Sequence, residues 1–263
     1  MSCVLPPETL DLIIDHLHDE RAALKTCCIV SKSWVPRTRS HLFACVELNA
    51  SKSHMARWKK TFPDPFNSPA CYTSTLCISD LPTPTVTDTD VGIWIRTFCN
   101  VVHLELSSVG LTALVLLYEL SPTVRSLRLT HSTTEVFDLI CSFPLLEDLE
   151  LITPASERDT GSWNIPSTSP KLTGTLALRT LGTTTLITRR LLDLPGGLHF
   201  SKIDAMFFED EAESVKDLVL ACSDTLESLS TLCCPSCASP STPMTDQYLT
   251  AIHRRRHTNT SSA

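Results

Sequence analysis

Short leucine motifs recur along this chain at intervals of 22 to 28 residues, and that spacing sharply limits the folds open to it. Three segments share one form: an apolar residue, two spacers, then Leu-x-Leu. They are residues 97–106, 120–129 and 142–151, ending in Leu104/Leu106, Leu127/Leu129 and Leu149/Leu151. A fourth segment, 222–229, fits as far as Leu229, and Thr231 then stands where the second leucine belongs. Weaker copies centre on Leu76/Ile78, Leu176/Leu178 and Ile203. The first anchors are therefore Leu76, Leu104, Leu127, Leu149, Leu176, Ile203 and Leu229, at spacings of 28, 23, 22, 27, 27 and 26. An alternating Leu-x-Leu is a short strand with both leucines on one side. The stretches between read as helices over Asp90–Phe98, Leu111–Leu120, Glu135–Cys141 and Glu211–Cys222. In the last, Val215, Leu218, Val219 and Cys222 follow helical spacing. Units of similar length, stacked side by side, bury a core that none could bury alone. The pattern predicts a parallel sheet along one edge, with Glu105, Arg128 and Glu150 on an exposed ribbon.

In form and period these units resemble leucine-rich repeats, whose length is about 20–29 residues. The Asn usual after the strand is missing, so the resemblance is to irregular members. An ordinary α/β domain with no solenoid is the alternative.

The first forty-six residues carry a different pattern. Leu10, Ile13, Ile14 and Leu17 fall on one face of a helix. Pro6 and Pro7 suit its start, where a missing N–H costs nothing, and Glu8 meets the positive end of the helix dipole. Ala22, Ala23, Leu24, Cys27 and Cys28 mark a second short helix. Ser31 fits as N-cap of a third, with Trp34 on its inner side and Pro36 limiting the geometry after it. Three short helices bury too little apolar surface to stand alone, so a neighbouring domain or a partner must support them.

This stretch resembles an F-box over residues 3–46. The matching positions are Leu5, Pro6, Glu8, Ile13, Leu17, Leu24, Val30 and Trp34, with the family's gaps between them. Thr9, Ala23 and Ser31 depart from the usual residues, which bears on the strength of docking more than on the fold. The resemblance implies docking on a Skp-family adaptor of a cullin–RING ubiquitin ligase, with those eight positions packing the module or touching the adaptor. The expected fold class is α/β: an N-terminal three-helix F-box-like module, then an irregular leucine-rich-repeat-like solenoid with a parallel sheet.

Composition narrows the function. At 42% hydrophobic residues the chain can pack a core, and a formal charge of −7 argues against a nucleic-acid surface. No apolar run is long enough to span a membrane, and Asp11, Asp15 and Asp19 interrupt the N-terminal apolar residues, unlike a signal peptide. A cytoplasmic or nuclear location is expected. In that setting the twelve cysteines read as reduced thiols. Cys234 and Cys237 have CxxC spacing, and His253 and His257 would complete a Cys2His2 set, but the segment between lacks a zinc finger's aromatic core. No metal site and no cofactor is expected. Nucleophile elbows, P-loops, HExxH and GxGxxG are all absent, so no enzyme is expected.

Linkers complete the plan. Proline-rich residues 62–70 close a linker spanning 47–70; residues 71–232 carry the repeats, and 233–263 form a tail expected to be disordered. Residues 80–89 and 153–170 read as loops. A repeat array normally ends in a polar cap, whereas here Leu229 and Leu232 run straight into Cys, Pro and Ser, as in a truncated or diverged end. The plan is that of a substrate-recognition adaptor: the module docks, and the repeats hold an unidentified target protein. A repeat scaffold with no ligase role, or a hydrolase with an unrecognised site, is the rival reading.

Overall fold

The computed structural model of the chain describes residues 6–49, 52–79, 89–107, 117, 120, 122–130, 136–153, 169–180 and 184–234. The alternating leucines become strands of one sheet. Its members are β1 (Cys45–Asn49), β2 (Thr75–Ser79), β3 (His103–Ser107), β4 (Ser126–Thr130), β5 (Asp148–Thr153), β6 (Leu172–Thr180), β7 (Leu198–Phe208) and β8 (Ser228–Cys234). They lie in chain order, and every neighbouring pair is parallel. Helices are α1 (Pro7–His16), α2 (Arg21–Val30), α3 (Val35–Leu42), α4 (Lys52–Thr61), α5 (Thr89–Arg96), α6 (Val136–Cys141), α7 (Thr184–Leu192) and α8 (Ala212–Ala221). The chain is thus α/β.

Register explains the leucine spacing. Val46, Leu76, Leu104, Leu127, Leu149, Leu176, Ile203 and Leu229 stand opposite one another across the sheet. From Leu76 to Ile203 this row is at most 1% exposed. The second anchors form a parallel row from Leu48 to Ala205, also buried. The leading apolar positions Val101, Val124 and Leu146 are buried beneath them. Side chains alternate between faces of a strand, so both leucines of each motif point into one core.

The units are also joined through their backbone. At the entry to each of four successive strands, one carbonyl of the preceding unit accepts from two consecutive N–H groups. Ala44 serves Ser74 and Thr75, Ser74 serves Val102 and His103, Val102 serves Arg125 and Ser126, and Arg125 serves Glu147 and Asp148. The backbone N–H groups at the turn into each of these strands are satisfied this way. Between β5 and β7 the repeat is interrupted at Gly174, where the β6–β7 register shifts. Gly174 has φ +76°, and a Cβ there would sit 2.5 Å from the Glu147 carbonyl oxygen, so only glycine fits.

Two details differ from the sequence reading. Residues 47–70, expected as linker, contain most of β1, all of α4 and two 3-10 turns. Phe43, at the end of α3, meets Trp58 and Phe62 of the α4 segment, and Trp58 reaches Phe98, with ring centroids 4.9–6.4 Å apart across the group. Helix α7 was not anticipated; it buries Ile187, Thr188 and Leu191. The expected helix Leu111–Leu120 lies mostly outside the described residues, although Leu117 and Leu120 are buried. The loop 153–170 and the tail beyond Cys234 also fall largely outside them.

Candidate docking surface

The N-terminal helices start and stop where local chemistry directs. Pro6 is the N-cap of α1, Pro7 opens it and Glu8 occupies its first turn. Ser31 caps a 3-10 turn, Lys32–Trp34, by accepting from the Ser33 N–H at 3.3 Å. That turn leads into α3, which carries Pro36 in its first turn. Ser31 therefore caps the turn ahead of the third helix, one step earlier than the sequence implied.

A small core and one ionic cluster hold the helices together. Ile14 and Leu24 are each 1% exposed, and Thr38 is fully buried with its hydroxyl donating to the Trp34 carbonyl at 2.7 Å. Asp15 on α1 reaches α3. Arg37 Nε donates to its Oδ1 at 2.6 Å, and His41 Nε2 lies 2.7 Å from the same oxygen. The bond from Arg37, reinforced by that with His41, lowers the Asp15 pKa from 3.8 to about 2. The carboxylate is thus fixed in its charged form as a tie between α1 and α3.

The positions matched to the family separate into two groups. Leu24 is core, while Leu17 and Trp34 are half-buried. Pro6 and Glu8 are exposed, as are Ile13 at 46% and Val30 at 63%. Leu5 lies outside the described residues. Two further aliphatic residues are exposed on the same helices: Leu12 at 61% and Ile29 at 86%. Sequence reasoning missed both. The sign was there for Leu12, which adjoins Ile13 and lies off the stripe assigned to the interior. Four large aliphatic side chains on α1 and the end of α2 therefore face solvent, and apolar surface of that kind is where association surfaces are found.

The outer face of the sheet has a different character. Glu105, Arg128 and Glu150 stand side by side in register, with Arg128 nitrogens 3.5 and 3.4 Å from the two carboxylates. Farther along, Arg179 meets Asp204 through two hydrogen bonds, one of 3.1 Å. Cys77 donates to Glu105 at 3.8 Å, and burial pushes its thiol up to about 12, so it stays protonated. On this face Arg128 thus pairs with Glu105 and Glu150, and Arg179 with Asp204.

The described cysteines are free thiols. Among the described residues no group of three or more His, Cys, Asp or Glu side chains is placed to hold a metal ion. Of the drawn Cys2His2 set, Cys234 ends β8, and Cys237, His253 and His257 lie outside the described residues. No helix among the described residues is long and apolar enough to cross a membrane. Compared with known protein families, curated proteins and solved structures, the chain matches none.

Proposed function

We propose that this chain is a substrate-recognition adaptor of a Skp/cullin/F-box ubiquitin ligase. In this reading the N-terminal helices are an F-box module that docks on a Skp-family adaptor. The strand–helix units are an irregular leucine-rich-repeat solenoid whose outer face holds a target protein. The protein carries out no chemistry itself. It raises the effective concentration of target near an activated ubiquitin carrier, which is catalysis by proximity. The cytoplasm or nucleus is where such a ligase works.

One observation carries the reading: Leu12, Ile13, Ile29 and Val30 are exposed on helices whose spacing resembles the docking family. Ile13 and Val30 are themselves matched positions. The test is co-purification of the full-length chain with a Skp-family adaptor, using Ile13→Asp and Val30→Asp as controls. The reading expects capture by the wild type and loss in both variants, with unchanged melting curves.

A second reading rests on a different contact. The Phe43, Trp58, Phe62 and Phe98 cluster joins the end of the helical module to α4 and to the turn after α5. In that reading the module is only a cap on a repeat scaffold. The same experiment separates them, because a scaffold would not capture the adaptor.

A further inference from the structure

Two cysteines occupy equivalent surface positions in neighbouring repeat units. Cys71 lies in the 3-10 turn Pro69–Tyr72 ahead of β2, and Cys99 lies in the turn ahead of β3. They are 28 residues apart, the spacing that also separates Leu76 from Leu104, which stand opposite each other in the sheet. The β2–β3 register extends back through both turns. Ala70 and Phe98 are matched buried residues at 0% and 1% exposure, and Thr73 and Val101 are both fully buried. The Ser74 carbonyl accepts from the Val102 and His103 N–H groups at 2.9 Å, and the Asn100 side chain donates to the Cys71 carbonyl at 2.6 Å. Neighbouring strands run about 4.8 Å apart, and a disulfide joins Cα atoms about 4.4–6.8 Å apart. Both cysteines are exposed free thiols. Their flanking partners are turned inward, so the two side chains leave the same surface.

We propose that Cys71 and Cys99 form a reversible disulfide, an oxidation-sensitive clasp between the β2 and β3 units that peroxide closes. Hydrogen peroxide oxidises one of the two thiols to a sulfenic acid and leaves as water. The other thiol then attacks that sulfur and expels its hydroxyl as a second water. Two S–H bonds and one O–O bond are broken, one S–S bond forms, and the peroxide is the species reduced. The other described thiols are placed differently. Cys222 is 1% exposed, and burial pushes the Cys77 thiol up to about 12, so neither supplies a ready thiolate. Cys45 and Cys233 are exposed but lie on β1 and β8, at opposite ends of the strand order. In a reducing compartment such a bond is transient and reports oxidation. Closing it also constrains the unfolded chain and so favours the folded one. The clasp does not depend on the ligase reading.

The test treats the folded full-length chain with hydrogen peroxide, blocks the remaining thiols with iodoacetamide and maps linkages by chymotryptic digestion and mass spectrometry. Cleavage after Tyr72 and Phe98 separates Cys71 from Cys77 and releases Cys99 on its own peptide. The expected product is a Cys71–Cys99 link within one chain, reversed by dithiothreitol. It should form at least about tenfold faster in the folded chain than in urea, where a flexible loop parts the thiols. The linked form should melt several degrees above the reduced one. Cys71→Ser and Cys99→Ser should each lose both the link and the rise, while Cys45→Ser keeps them. The proposal is overturned if both thiols remain open to alkylation, if either links to a different cysteine, if the urea-unfolded chain links as fast as the folded one, or if the linked form melts no higher.

Discussion

Two regions of this molecule use the same residue types in opposite ways. In the strand–helix array Leu76, Leu104, Leu127 and Leu149 are at most 1% exposed. In the N-terminal helices Leu12, Ile13, Ile29 and Val30 are 46–86% exposed. The array's first anchors from Leu76 to Ile203 are covered internally, through register and stacking. The helical module has too little interior to do so: Ile14 and Leu24 are its only buried aliphatic residues among those described. The array's anchors are therefore covered within the molecule, whereas these four side chains of the module are not. Substitutions in the two regions should give opposite profiles.

The largest effect belongs to the array. Leu149→Ala removes an anchor flanked in its row by Leu127 and Leu176, and should cost about 2–5 kcal/mol in urea unfolding followed by circular dichroism. Ile13→Ala should change the same measurement by no more than about 0.5 kcal/mol. Equal losses at the two positions would erase the contrast.

Next comes a polar joint within the array. Glu211, buried ahead of α8, accepts from the Thr184 N–H at 2.7 Å, the Thr184 hydroxyl at 3.0 Å and the Phe208 N–H at 3.1 Å. It fastens the start of α7 to the end of β7. Glu211→Ala removes the shared acceptor of these three hydrogen bonds and should cost about 2–3 kcal/mol by the same unfolding assay.

A smaller effect lies in the module and is read by pH. Asp15 has a depressed pKa in the folded state, so its stabilisation is complete above 3.8 and is lost as pH falls toward about 2. An NMR titration of the Asp15 carboxyl should show a midpoint near the lower value, and Arg37→Ala should move it upward. A wild-type midpoint near 3.8 would mean that the tie between α1 and α3 does not form.

Much of the array was legible because strand anchors follow a simple rule. Seven strands carry first anchors whose spacing, 22 to 28 residues, betrays a stacked unit. β1 carries the same form, Phe43-Ala44-Cys45-Val46-Glu47-Leu48, but lies 30 residues before Leu76 and inside a stretch whose helical pattern dominated. Helix α7 was hidden by its composition, since threonines at 184, 185 and 188 are poor helix formers in isolation. There the carboxylate of Glu211, 27 residues from Thr184, completes the helix start, a tertiary contact that local pattern cannot show. The docking surface was half legible. Helical spacing put Leu10, Ile13, Ile14 and Leu17 on one stripe, yet only Ile14 of the four is fully buried. Periodicity finds a stripe; how much of it is covered depends on the size of the neighbour, and α3 is a short one.

The smallest effect on stability should accompany the largest effect on binding, and that pairing tests the central claim. The decisive measurement is calorimetric titration of the full-length chain with a purified Skp-family adaptor, wild type beside Ile13→Asp and Val30→Asp. Saturable one-to-one binding by the wild type, abolished in both variants while their melting curves stay unchanged, is the predicted result. An intact chain that does not bind, or variants that bind as well as the wild type, would contradict the account.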